Sequence, residues 1–185
     1  MSPRRTVHEP RLTPPVSARD HIRGREDAPV TLVEYGDYQC PYCGMAYPIV
    51  NAVQKAMGSD LRFVFRNFPI STIHPYAEGA AEAAEAAGAQ GQFWEMHDWL
   101  YEHQDSLAPN DLVEAAGRLE LDGDRFVADL TQHRFAPRVR EDFMSGVRSG
   151  VNGTPTFFIN GLRHDGEWDY DSLLAALRQV AEVRA

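Results

Sequence analysis

The constraint that bears hardest on this chain is a change of hydrophobic period at residue 40. Val30-Thr31-Leu32-Val33-Glu34-Tyr35 is a β-branched and aromatic run, bounded by Asp27-Ala28-Pro29 before it and Gly36-Asp37 after it, which predicts a buried strand. From Cys40 onward Ala46, Val50, Val53 and Met57 recur at four- and three-residue intervals, the apolar stripe of a helix ending near Gly58. Pro48 falls inside that helix and removes a backbone bond to Gly44, which predicts a kink rather than a stop because the stripe continues beyond it. Leu61, Phe63 and Phe65 then alternate with Arg62, Val64 and Arg66 to give a second strand. Strand, helix and strand in this order predict a βαβ unit with parallel strands.

The chain's only two cysteines, Cys40 and Cys43, sit at the first strand-to-helix junction. A bridge across two intervening residues closes almost no loop and adds little stability, so the pair points to chemistry rather than stapling. Unpaired N–H groups and the helix dipole at this junction favour a thiolate over a thiol at Cys40. Pro41 suits the first helical position, since it has no N–H to leave unpaired. Cys43 lies one turn further on roughly the same face, within the reach of a disulfide. Glu34, an acid inside an apolar strand six residues before Cys40, would have a raised pKa if buried and could then exchange a proton with Cys43. Gly153-Thr154-Pro155 precedes another predicted strand, Thr156 to Ile159, and a proline there is either an ordinary edge proline or a cis proline in a tight loop.

Between about Pro75 and Gly150 no strand is predicted. Helices are expected near Tyr76 to Ala89, Phe93 to Gln104, Asp111 to Glu120, Asp124 to His133 and Arg138 to Arg148, broken at Gly91, Pro109, Gly123 and Pro137. Glu78, Glu82 and Glu85 share a face of the first, expected to be solvated, while Trp94, His97 and Trp99 are expected to pack within the helical region. Asn160-Gly161 suits a two-residue hairpin turn returning along Leu162 to His164, and Asp169 is a good N-cap for a closing helix with Leu173, Leu177 and Val180 on one face. The organisation expected is a flexible arm over 1–26, a βαβ half over 27–74, an inserted helical domain over 75–150 and a ββα half over 151–185.

Taken together, Asp37-Tyr38-Gln39-Cys40-Pro41-Tyr42-Cys43-Gly44, Glu34 upstream, Pro48 downstream and Gly153-Thr154-Pro155-Thr156-Phe157 resemble the DsbA-like branch of the thioredoxin superfamily. The likeness runs from about Asp20 to the C-terminus. The lead-in Asp20-His21-Ile22-Arg23-Gly24 and Phe93-Trp94-Glu95-Met96-His97-Asp98 are similar to stand-alone bacterial members and to the domain fused behind some bacterial sodium/proton antiporters. The resemblance implies an α/β thioredoxin fold (βαβ…ββα) with an inserted all-helical domain between the second strand and the proline strand. It implies catalytic roles for Cys40, Cys43, Glu34, Pro41 and Tyr42, a cis Pro155 beside the disulfide, and substrate contacts from Gly153, Thr154, Pro155 and Tyr38. It further implies thiol-disulfide exchange with protein or small-thiol substrates, no cofactor beyond the Cys40–Cys43 disulfide, and a partner that resets the pair: glutathione, a thioredoxin-type protein or a membrane quinone-linked one.

Two departures from that pattern matter. Strongly oxidising members carry His where this chain has Tyr42, which is neutral at pH 7. A Cys40 titrating near ~5.5 instead of ~3.5 would lose roughly 2.7 kcal/mol of thiolate stabilisation, roughly 60 mV on the two-electron scale. The second is the absence of an apolar leader in this sequence, which gives the expectation of a cytoplasmic protein, or an extracytoplasmic one if the chain is truncated. The formal charge of -9, from 27 acidic and 18 basic residues, argues against nucleic acid as a partner. No stretch reaches the roughly 20 apolar residues of a membrane span. The rival readings are a redox-silent binding domain and a metal site on Cys40 and Cys43, for which His74 and His164 would be the conceivable further ligands.

Overall fold

The computed structural model describes residues 10–183. One five-stranded sheet organises them: β1 (His21–Gly24), β2 (Val30–Gly36), β3 (Leu61–Asn67), β4 (Thr156–Ile159) and β5 (Leu162–His164), in the order β1-β3-β2-β4-β5. The central strand β2 is buried at every position, as its unbroken apolar run requires. It pairs parallel with β3, with Glu34 opposite Phe65, and antiparallel with β4, with Glu34 opposite Phe157. Connecting β2 to β3 is α1 (Pro41–Met57), which continues through Pro48 and buries Cys43, Ala46, Val50, Val53 and Met57. A short 3-10 turn at Gly58–Asp60 leads into β3.

The period-2 alternation of the strands divides the core in two. Val30, Leu32, Phe63, Phe65, Phe157 and Ile159 pack with α1 and with the closing helix α7 (Tyr170–Glu182). Val33, Tyr35, Val64 and Phe158 form a second core on the opposite face. Glu34 shares the parity of Leu32 and therefore belongs to the α1 face. That is the link between strand register and the cysteine pair.

Five helices lie between β3 and β4: α2 (Ala77–Gly88), α3 (Phe93–Glu102), α4 (Pro109–Arg118), α5 (Gly123–Thr131) and α6 (Ala136–Arg148). Each falls within a few residues of its predicted position. The expected solvated acid face of α2 holds at Glu78 and fails at Glu82 and Glu85. Glu82 and Glu85 are 3% and 5% exposed, because α2 is the hub against which α3, α4, α5 and α6 pack. Its alanines let those helices approach closely, and the acids find partners instead of water. Glu85 is bonded to His21 Nε2 at 2.9 Å and accepts from Asn67 Nδ2 at 2.8 Å, and Glu82 lies 3.0 Å from His133 Nδ1.

The expected flexible arm over 1–26 is likewise corrected for its described part, residues 10–26; residues 1–9 lie outside the described residues. β1 runs antiparallel along β3, and Arg11 forms a bridge with Leu162 across the sheet. Leu12 is buried in the second core. The polar residues that suggested a loose lead-in are consumed as ion-pair partners: Asp20 with Arg66, His21 with Glu85, and Arg23 with Asp98. At the other end Asn160 and Gly161 adopt φ of 47° and 82°, as their hairpin turn requires, and the Asp169 side chain accepts from Ser172 N.

Asp20 and Arg66 are almost fully buried together, at 2.7 Å. Removing one partner leaves an uncompensated buried charge, so Asp20→Ala should lower the unfolding free energy by about 3 kcal/mol or more. Urea denaturation measures it; a loss below about 1 kcal/mol, the range of a surface pair, would contradict the anchored arrangement.

Candidate active site

Cys40 is the N-cap of α1, with φ −70° and ψ 122°, and Pro41 occupies the first helical turn. Asp37 shapes the approach: its carbonyl accepts from Cys40 N at 3.1 Å and its carboxylate accepts from Gln39 N at 2.8 Å. The carboxylate also accepts from Ile70 N and lies 2.8 Å from His74 Nδ1, tying this turn to the loop after β3. From the opposite side comes the loop before β4, where the Thr154–Pro155 bond is cis, as the resemblance implied. Cys40 Sγ lies 3.4 Å from the Thr154 carbonyl oxygen, to which a thiol S–H donates. Thr156 Oγ1 donates to Gly153 O at 2.7 Å and fixes the bend of that loop.

The two sulfurs are free thiols in unlike surroundings. Cys40 is lowered to about 5, first by a hydrogen bond from Cys43, against the opposing effect of burial, and then by the Thr154 side chain and the N–H groups of Cys43 and Tyr42. The Thr154 hydroxyl is buried with no other partner, so it is free to donate once Cys40 loses its proton. Cys43 is fully buried, and burial, the hydrogen bond to Cys40 and the nearby Glu34 raise its thiol well above the ordinary range. Asp37 N donates to Cys43 Sγ at 3.5 Å. Glu34 is 2% exposed, its Oε1 has no hydrogen-bond partner, and burial followed by the charge of Cys40 pushes its carboxyl up to about 8. An acid that keeps its proton near neutral pH beside a thiol that resists losing one is suited to exchange that proton locally.

Of the residues singled out from the sequence, Cys40, Cys43, Glu34, Pro41, Thr154 and Pro155 converge here, with Gly153 one residue behind. Tyr42 projects outward at 62% exposure. Tyr38 departs from expectation: it is 1% exposed, its hydroxyl lies 3.1 Å from His97 Nδ1 and its ring packs on Phe65 and Tyr101. It supports the turn from below and has no surface to offer a substrate. His74 is engaged by Asp37 and His164 by the Glu167 carbonyl. Among the described residues no group of three or more His, Cys, Asp or Glu is placed to hold a metal ion.

Tyr101 and Gln104 were not expected at the site, Asp37 stood only as part of the cysteine motif, and His74 was considered only as a conceivable metal ligand. Asp37 was detectable as an acid ending a strand three residues before Cys40. Gln104 carries no local signal, since it reaches the site from the helical insertion. Its Nε2 donates to Tyr38 O at 2.8 Å and to Cys40 O at 2.9 Å. Tyr101 sets its hydroxyl where a Cβ on Gly36 would stand only 2.7 Å away, so glycine is required there for the two elements to meet.

The thioredoxin family model matches residues 17–179. The chain belongs to the thioredoxin family. Within that family this domain is similar to BdbD from Bacillus subtilis in its oxidised form, with a TM-score of 0.81 and 26% identity over 89% of this chain and 94% of that one. It shares its fold with the catalytic domain of Proteus mirabilis ScsC, at a TM-score of 0.76 and 20% identity over 92% and 93% of the two chains. The thioredoxin-fold domain is also 53% identical over 159 residues to a Na(+)/H(+) antiporter NhaA 1 of Salinispora arenicola, a match covering 86% of this chain and 24% of that protein. A second NhaA 1, from Mycolicibacterium vanbaalenii, is 43% identical over 179 residues, 96% of this chain and 29% of that protein. The chain thus spans about a quarter of the length of these curated relatives. Fold, family and cysteine placement make it a thioredoxin-fold domain with a free cysteine pair at the start of its first helix.

The opposed pKa shifts have a measurable consequence for folding. Folded Glu34 keeps its proton to about pH 8, against an ordinary value of 4.5. Between those values the folded chain holds one proton more than the unfolded chain, so this group's contribution to stability falls as pH rises. Glu34→Gln should therefore be more stable than wild type when both are reduced, with a gap that widens from about pH 5 to about pH 8 and is level above; urea midpoints across pH check it, and a constant gap would refute the assignment. Cys40 works oppositely, its stabilisation of the reduced fold disappearing as pH falls through about 5. At pH 7 iodoacetamide should accordingly label Cys40 and spare Cys43, as peptide mass spectrometry would reveal.

Proposed function

We propose that this domain exchanges disulfides with protein or peptide substrates through the Cys40–Cys43 dithiol/disulfide couple. The observation that carries the proposal is the arrangement of the pair: Cys40 at the start of α1 facing Thr154 and cis Pro155, with Cys43 and the unpartnered acid Glu34 buried behind it.

In the reducing direction the Cys40 thiolate attacks one sulfur of a substrate disulfide. The substrate S–S bond breaks, a Cys40–substrate mixed disulfide forms and the first substrate sulfur leaves as a thiolate that takes a proton from water. Once the Cys40 charge that helps hold the proton on Glu34 is consumed in the mixed disulfide, Glu34 gives that proton to water, takes the Cys43 proton in its place, and Cys43 attacks the Cys40 sulfur. The mixed disulfide breaks, the second substrate sulfur leaves as a thiolate that takes a proton from water, and Cys40–Cys43 is left oxidised, two electrons having passed to the substrate. Run backward, the same steps oxidise a substrate dithiol, with Glu34 returning the proton to Cys43. The backbone of Thr154 would hold an extended substrate segment alongside the sulfur, and Pro41 and the exposed Tyr42 would border it.

In a cytoplasmic setting, the compartment proposed, the pair would reduce or isomerise substrates and be reset by glutathione or a thioredoxin-type partner. Ion antiport, the activity in the relatives' names, forms no part of the proposal.

The decisive experiment is a trap in cells. Cys43→Ala should accumulate covalent adducts through Cys40 that disappear on reduction, while Cys40→Ser, which lacks the attacking sulfur, should accumulate none. If Cys43→Ala captured no more protein than Cys40→Ser, exchange through Cys40 would be ruled out.

A further inference from the structure

We propose that Gln104 is a positioning residue of the dithiol site, its side-chain amide holding the Tyr38–Cys40 turn so that the Cys40 sulfur is kept against Thr154 and the open end of α1. The inference rests on the reading of Cys40 as the attacking thiolate.

Gln104 follows α3 and precedes α4, so it belongs to the helical insertion rather than to the βαβ unit that carries the cysteines. One nitrogen, Nε2, donates to two carbonyls, Tyr38 O at 2.8 Å and Cys40 O at 2.9 Å. Those carbonyls flank Gln39 on both sides, so a single planar amide spans the turn. Cys40 O also accepts from Gly44 N at 3.1 Å in the first turn of α1. The Gln104 contact therefore fixes the orientation of the peptide unit from which the helix grows. With both carbonyl oxygens turned toward the insertion, the Cys40 sulfur faces the opposite loop, where it meets Thr154. The N–H groups of Tyr42 and Cys43, which favour its thiolate, stay directed at it.

Gly44 makes the contact feasible. A Cβ at that position would overlap Gln104 Oε1 and press on its Cδ at 2.7 Å. A glycine inside the first turn of a helix costs about 1 kcal/mol relative to alanine, and here its absence of a side chain admits the amide. Asp37 bonds the same turn through its own carboxylate, but only at Gln39 N. Tyr38 O is left to Gln104, and Cys40 O accepts from both Gln104 and Gly44 N. A fully apolar residue at 104 would strand Tyr38 O beneath the insertion and leave Cys40 O only its helical bond from Gly44 N, and a carboxylate would set a negative group against two carbonyl oxygens.

The test titrates Cys40 by thiolate absorbance in the reduced protein and measures the equilibrium with glutathione. Variants are Gln104→Leu, Gln104→Glu and Gly44→Ala, the last displacing the amide while leaving its chemistry intact. Each should move the Cys40 titration upward, by about one pH unit for Gln104→Leu, and shift the glutathione equilibrium about tenfold toward the oxidised pair, close to 30 mV. Gln104→Glu should shift further at pH 7 than at pH 4, where its carboxyl regains a proton and can donate. Gly44→Ala should do so without loss of thermal stability, which separates positioning from simple packing. A wild-type Cys40 titrating low while all three variants retain that value would overturn the assignment of Gln104 alone. A wild-type Cys40 titrating in the ordinary thiol range would overturn the functional reading and this inference together.

Discussion

Asp37 holds the junction on which the site depends. Its side chain is bonded to three elements that are distant in sequence or differently folded: the turn at Gln39, the loop at Ile70 and the imidazole of His74. Its own backbone reaches both cysteines, the carbonyl accepting from Cys40 N and the N–H donating to Cys43 Sγ. A strand leaving the sheet edge-on and a helix starting at once require an abrupt change of direction. A buried carboxylate with neither oxygen unpartnered can hold that change, because every backbone donor it satisfies would otherwise be stranded away from water. Cys40 can sit at the helix start only while this turn is held.

Behind the junction the chemistry is a contest between burial and charge. Three ionisable groups, Cys40, Cys43 and Glu34, share a region nearly closed to solvent. They cannot all be charged. The geometry resolves the contest by giving the N–H donors to Cys40 and withholding them from Glu34, whose Oε1 has none. One negative charge is thus favoured at the rim and two protons are retained inside. The aromatic wall of Tyr38, Phe65, His97 and Tyr101 keeps that interior dry and joins the helical insertion to the sheet.

What could be read from the sequence follows from how local its causes are. The period change at Cys40, the hairpin at Asn160-Gly161 and the Asp169 cap are decided within a few residues, and each is where it was expected. The cysteine pair and Glu34 were legible for the same reason, since strand parity alone turns Glu34 toward α1. Misreadings arose wherever a distant partner decided. Charges in residues 19–27 resemble a solvated arm until Arg66, Glu85 and Asp98 are brought opposite them. Glu82 and Glu85 look like a wet helix face until four other helices close round α2. Tyr38 was expected at the substrate surface from the family resemblance, yet it lies buried beneath the turn that Asp37 holds. Gln104 could not be found from sequence because it lies within the helical insertion, 66 and 64 residues from the carbonyls it bonds.

The sheet's two margins have a consequence for self-association. β1 is four residues with His21 and Arg23 along it, and β5 is three residues with Arg163 and His164. The Arg11 bridge to Leu162 covers part of the outer face of β5 as well. Short, polar and partly capped margins offer little ladder onto which another polypeptide could extend. Two copies of the domain are thereby kept from joining edge to edge into one continuous sheet.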